Sequence, residues 1–297
     1  MTLVELETQL RKRILVGDGG MGTQLIEHGL TKGECPELWN VEKPKVIKKI
    51  HSSYLQAGAD IFLTNSFGGT RIKLSAFGLE ERTDELNFAA AKLAAEARIN
   101  GKFIAGSIGP TGQFLEPQGS FTESEFIQAF SEQAEALSRG KVDFLLIETM
   151  YDLREALCAV KGARKSSDLP VFVTMTFKKT PRGFFTIMGD SVQKCLETLE
   201  RECNIPVFGA NCTLDSKDMA DLIKIMRKWT TRPLIAQANS GQPLLSAENQ
   251  LVYSQSVMDY VRYVPLMIKN GVNIIGGCCG TGPEHIKEIA KIVKPSA

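Results

Sequence analysis

The chain has no apolar run approaching the roughly 18 residues of a membrane-spanning helix, so none is expected. It has no charge of one sign to spare. Its 35 basic and 34 acidic residues leave a net charge of +1, which offers nothing to nucleic acid or to an anionic membrane surface. The opening residues, Met1–Arg13, mix charge and apolar character and read as a short helix, without the pattern of a signal peptide. Low-complexity segments, internal repeats and interdomain linkers are absent, so residues 1–297 are expected to form a single domain. Gly17-Asp18-Gly19-Gly20-Met21-Gly22 has GxGxxG spacing, but that pattern alone is a weak signal, and a dinucleotide site has little support. Histidine is scarce. His28, His51 and His285 are expected to be structural or exposed, and none is a candidate metal ligand. The seven cysteines are odd in number and scattered, which fits reduced thiols and a cytoplasmic location better than a disulfide framework.

What is present is concentrated near the C-terminus. In Gly276-Gly277-Cys278-Cys279-Gly280-Thr281, two adjacent cysteines stand between glycines just after the strand-like run Val272–Ile275. Cys212, in Gly209-Ala210-Asn211-Cys212-Thr213, also follows a strand-like run. Glycines let the backbone turn so that neighbouring sulfurs face one point. Three thiolates converging from two strand ends would hold zinc with one position open, as catalytic zinc sites do. The same cysteines could instead be buried small hydrophobes, or Cys278 and Cys279 could form a strained vicinal disulfide. Cys35, Cys158, Cys195 and Cys203 lack such settings and read as structural.

Apolar and amphipathic runs alternate along the whole chain. Strands are expected at 14–17, 59–64, 102–105, 142–147, 170–175, 206–209, 233–237 and 272–275. Helices are expected at 44–56, 84–99, 123–139, 153–165, 191–202, 216–229, 255–269 and 283–293. Eight such units in a chain of this length predict an α/β fold of the (β/α)8 TIM-barrel type, with a doubly wound open sheet as the alternative. Polar residues follow nearly every strand: Asp18, Asn65, Ser107, Glu148, Thr176, Asn211, Asn239 and the cysteines. In a barrel these strand ends meet on the face that carries the active site. The loops 112–122, 178–189 and 240–253 would crowd that face as lids or docking surfaces.

A zinc site of three thiolates has a net charge of −1, so water on it would be a poor source of hydroxide. A substrate thiol in the open position would lose its proton and remain nucleophilic, which suits attack on an electrophilic carbon. Asp18 and Glu148 could work as acid and base, bind an ammonium group or merely cap loops. Gly19, Gly20 and Gly22 allow backbone N–H groups to approach a carboxylate. Together with Ser107 at the end of the third strand, these residues describe a pocket for a small zwitterion carrying a thiol.

The segments Asp18–Thr23, Gly209–Cys212 and Gly276–Thr281 resemble the zinc-dependent homocysteine S-methyltransferases, over essentially the whole chain and in order. The resemblance implies a (β/α)8 barrel with Zn2+ on Cys212, Cys278 and Cys279. It implies that Asp18 and Glu148 hold the homocysteine amino group. It further implies that Asn239, in Ala238-Asn239-Ser240-Gly241, approaches the zinc when substrate is absent, although Pro is common in the family where Ala238 stands. Thr64–Arg71, Gly109–Gly112 and Cys279–Thr281 look most like the homocysteine module of cobalamin-dependent methionine synthase. The branch using S-methylmethionine more often has Arg where Gly280 stands, and the betaine-using branch carries a long C-terminal arm. The sequence contains no corrinoid-binding signature, so it is expected to be either an excised module or a stand-alone enzyme to which a separate corrinoid protein supplies methylcobalamin in trans. Alternatives are the same transfer from S-methylmethionine or S-adenosylmethionine, and a non-catalytic zinc- or thiol-binding module of a larger complex.

Overall fold

The computed structural model describes residues 3–245 and 251–294. The eight apolar runs form β1 (Leu15–Val16), β2 (Ile61–Leu63), β3 (Phe103–Ile108), β4 (Phe144–Met150), β5 (Val171–Met175), β6 (Phe208–Asn211), β7 (Leu234–Ala238) and β8 (Ile274–Gly277). All pair in parallel, in the order β1-β8-β7-β6-β5-β4-β3-β2. The remaining gap, between β1 and β2, is bridged by three bonds. The Asp60 N–H donates to the Val16 carbonyl at 2.7 Å, and the Val16 N–H to the Asp60 carboxylate at 3.0 Å. The Leu63 N–H donates to the Asp18 carboxylate at 2.7 Å. The result is a (β/α)8 barrel.

Helices follow the strands around the outside. They are preceded by α1 (Leu3–Lys12) and a short α2 (Met21–Glu27), then run α3 (Pro44–Gln56), α4 (Thr83–Ala97), α5 (Glu123–Arg139), α6 (Leu153–Ser166), α7 (Val192–Cys203) and α8 (Ser216–Met226). Local chemistry sets their starts. Thr122 and Glu125 form a capping box for α5, and Asp152, Ser191 and Asp215 cap the next three helices. The single helix expected over 255–269 is two: α9 (Val257–Val261) and α10 (Val264–Lys269). Pro265 lacks the N–H that would continue the first into the second, and it sits instead in the first turn of α10. The barrel closes with α11 (Pro283–Val293).

The core has two parts, as inward and outward residues alternate along each strand. Leu15, Ile61, Ala105, Phe144, Phe172, Val207, Ile235 and Ile274 cluster inside the barrel, joined by Leu10 of α1. A larger cluster fills the layer between strands and helices. The loop over 178–189 carries a hairpin, Lys178–Thr180 with Gly183–Phe185. The loop over 240–253 carries another, Pro243–Leu245 with Leu251–Tyr253, while its residues 246–250 lie outside the described residues. Among the described residues, no helix is long and apolar enough to cross a membrane.

Candidate metal centre and active site

Two strand ends present the cysteines. After β6, Cys212 and Thr213 both take left-handed backbone angles, φ 63° and 61°. The Cys212 N–H donates to the Gln237 carbonyl at 3.0 Å, tying this turn to β7. After β8, the Cys278 N–H donates to the Ala238 carbonyl at 2.8 Å. The Thr281 hydroxyl donates back to the Cys278 carbonyl at 2.7 Å. A Cβ on Gly277 would lie 2.2 Å from the Thr281 Oγ1, so only glycine lets this turn close.

The Cys212 and Cys279 sulfurs lie 3.8 Å apart, and those of Cys278 and Cys279 3.9 Å apart. All three fall within 4.8 Å of one another. Tetrahedral zinc with Zn–S bonds near 2.3 Å requires sulfurs about 3.8 Å apart, so the donor set fits the metal. All three are free cysteines, and the vicinal disulfide is not formed. S–H groups of Cys278 and Cys279 directed at Cys212 pull its pKa down to about 3. Sharing protons with Cys212 pushes Cys279 up to about 12 and raises Cys278 as well. The three sulfurs thus share protons among themselves, and a divalent cation would take the place of those protons. Cys35, Cys158, Cys195 and Cys203 are buried, and burial raises their pKa values, as in inert structural thiols.

The sulfurs open on a cavity of about 480 Å³, also lined by Gly19, Gly20, Ser107, Glu148 and Gln237. Glu148 sits at a register shift of β4 between Ile147 and Met150, and the following Thr149 has φ 60°. A bulge of this kind re-aims a side chain. The Ser107 hydroxyl donates to one Glu148 oxygen at 2.5 Å, and the Asn211 amide donates to the other at 3.1 Å. Burial lifts the Glu148 pKa to about 7, against the Ser107 hydrogen bond, with the Cys212 charge adding to the rise.

Asp18 is raised further, to about 8, mainly by burial. The Leu63 hydrogen bond opposes the rise and the Glu148 charge adds to it. Its second oxygen, and the side-chain oxygen of Gln237, are buried with no hydrogen-bond partner among the described residues. Orphaned buried acceptors are costly, and an ammonium group brings three donors.

Asp18 is buried next to Gly19, which lines the cavity. Asn239 spends its side-chain oxygen on the Cys279 N–H at 3.1 Å, and its amide also bonds to the Cys212 sulfur, so it braces the cysteine turns. The Gly20 N–H, expected to meet an anion, donates to the carbonyl and hydroxyl oxygens of Thr281 at 3.0 and 3.2 Å. A Cβ on Gly20 would come within 2.6 Å of the Cys278 carbonyl, so this glycine serves close approach of two loops.

The sequence reading gave no role to Gln237, Asn211 as a side chain, or Tyr253. The Tyr253 ring lies against Gly280, where a Cβ would come within 2.3 Å of it. Burial and then the charges of the three cysteines push its hydroxyl up to about 12. Nothing in a single glutamine, asparagine or tyrosine marks it from sequence. His285 is structural as expected, its Nε2 3.0 Å from the Ser240 hydroxyl.

The fold is shared with solved structures. Superposed on the homocysteine methyltransferase MmuM of Escherichia coli in its metallated form, the chain gives a TM-score of 0.79 at 23% identity, covering 98% of this chain and 99% of that one. A methyltransferase from Methanosarcina mazei gives 0.60 at 9% identity, covering 96% and 95%. The family model for homocysteine S-methyltransferases matches residues 15–293, from the first barrel strand to the last helix. With that match over a cavity walled by paired and upstream cysteines, the chain belongs to the homocysteine S-methyltransferase family and is a methyltransferase of that class.

Proposed function

We propose that this protein is a single-domain cytoplasmic enzyme that transfers a methyl group to the sulfur of homocysteine, giving methionine, with Zn2+ held by Cys212, Cys278 and Cys279. The observation that carries this reading is the spacing of three sulfurs that line a cavity also holding a buried carboxylate. When bound, zinc supplies Lewis acidity that lowers the pKa of a thiol at its open position. Glu148 takes the substrate ammonium and so fixes where the four-carbon chain places its sulfur. Asp18, tied to the Leu63 N–H, and Gln237 each offer a further buried acceptor. Asn239 and the glycine turns hold the three cysteines in place. The thiol proton passes to solvent, a sulfur lone pair forms the new S–CH3 bond, and the donor leaves with the electrons of its bond to the methyl.

The donor in this reading is a methylated corrinoid carried by a separate protein. Gly280 supports it, because an arginine there would have to displace the Tyr253 ring. The zinc assignment is tested by metal analysis of Cys212→Ser, Cys278→Ser and Cys279→Ser. The parent should hold about one zinc per chain, and each variant should lose metal and methyl transfer, since removing one thiolate of three weakens the site. Full occupancy with normal activity in any variant would remove that cysteine from the centre.

A further inference from the structure

Asn211 is 1% exposed, and its side chain touches two unusual stretches of backbone at once. Its oxygen accepts from the Thr149 N–H at 2.8 Å and from the Thr174 hydroxyl at 2.9 Å. Its nitrogen donates to the Thr149 hydroxyl at 2.7 Å and to a Glu148 carboxylate oxygen at 3.1 Å. Every hydrogen-bonding direction of the amide's oxygen and nitrogen is therefore used. Its own carbonyl is held by the Thr176 hydroxyl at 3.0 Å. On one side of it lies the β4 bulge, where Thr149, a β-branched residue, is forced to φ 60°. On the other lies the left-handed pair Cys212 and Thr213. Non-glycine residues with positive φ persist only where their surroundings impose them. Asn211 touches both.

We propose that Asn211 is the positioning residue that couples amine recognition to the cysteine centre, its amide aiming Glu148 while its backbone launches the turn that presents Cys212. The distance from carboxylate to sulfur has to match a substrate with an amino group at one end and a thiol at the other. Two independent loops would hold that distance loosely. One buried amide bonded to the Glu148 end, and covalently next to the Cys212 end, holds it as a unit. Ser107 supports the other Glu148 oxygen but makes no hydrogen bond to the cysteine turn among the described residues. The inference rests on the homocysteine reading given above.

The experiment compares two ligands on the zinc-loaded enzyme. Homocysteine carries amine, carboxylate and thiol, whereas 4-mercaptobutyrate is the same chain without the amine. Asn211→Asp keeps acceptors for the Thr149 N–H and the Thr174 hydroxyl and loses the donor to Glu148. Homocysteine affinity should fall about tenfold or more, the size expected for a hydrogen bond to a charged group, with a much smaller change for 4-mercaptobutyrate. Zinc content should hold, and KM for homocysteine should rise more than kcat falls. Combined with Glu148→Gln, the loss should be less than additive, because both changes act through the same carboxylate. Asn211→Ser, which shortens the side chain without adding charge, gives the same comparison if the aspartate variant does not fold. Equal losses for both thiols, additive losses, or discrimination unchanged from the parent would overturn the proposal. A parent enzyme that binds both thiols alike would remove the amine reading itself, and this proposal with it.

Discussion

Glu148 joins two opposing demands in one side chain. It is 7% exposed, and burial resists its charge, yet an ammonium ligand requires that charge. Hydrogen bonds from Ser107 and Asn211 offset part of that cost, and the charge of a bound ammonium would offset more of it. Glu148→Gln keeps the shape, and the hydroxyl and amide neighbours can adapt to it, so zinc should stay bound. Homocysteine binding should weaken by about 1.5–3 kcal/mol, the value of a hydrogen bond to a charged group, read by titration calorimetry. The loss for 4-mercaptobutyrate should be much smaller; equal losses would assign Glu148 to structure. At this scale the sequence disclosed the cysteines best, because adjacency within glycines is rare and only a turn can use it. Glu148 was legible as an acid following an apolar run. Asn211 was legible only as one polar strand end among several and Gln237 not at all, since an amide acquires its meaning from what it is buried against.

Elements were legible where periodicity decides them and blurred where polar residues continue a ladder. The apolar runs end before strands β3, β4 and β6 do, because Ser107, Glu148 and Asn211 still occupy the strand while facing the site. The expected helix over 255–269 hid a break at Pro265, since hydrophobic spacing continues across it. Helix α3 carries a feature that spacing cannot show. His51 is fully buried against Phe62, with ring centroids 5.3 Å apart, and neither ring nitrogen has a partner among the described residues. Burial lowers its pKa from 6.5 to about 4. Stability from a neutral His51 is therefore present above pH 6.5 and is lost as pH falls through about 4, by up to about 3 kcal/mol. Glu155 slopes the other way. Burial raises it to about 7, so its contribution is full below 4.5 and is lost as pH rises through about 7. The informative quantity is thus the difference between parent and His51→Leu in urea unfolding at pH 7 and pH 4. The variant should be at least as stable at pH 7 and should gain on the parent at pH 4. A constant difference across that range would show that His51 does not titrate with unfolding.

At the scale of the whole molecule, barrel closure was readable from eight alternating units, and closure alone carries every candidate group to one face. The loops that give that face its character were not readable, because two of them fold into hairpins whose partners lie within otherwise irregular sequence. Their exposed side chains bear on the methyl donor. Ile26, Phe67, Phe114, Leu244 and Val252 are exposed apolar residues on the segments that follow β1, β2, β3 and β7. A small sulfonium donor would need only the cavity. A donor carried on another protein needs a surface around the mouth, and a transient interface with an apolar centre suits repeated docking and release. A cobalt centre leaving with the electron pair of its methyl bond is a good leaving group, so this chain need only aim the thiolate. The decisive assay offers homocysteine with methylcobalamin, free or protein-bound, and in parallel with S-methylmethionine, S-adenosylmethionine or betaine, and measures methionine. Turnover should be fastest with the corrinoid, and replacing Phe67 and Phe114 with serine should slow transfer from the protein-bound form more than from the free one. Rapid turnover with S-methylmethionine and none with either form of methylcobalamin would overturn the donor and leave the thiol-activating centre standing.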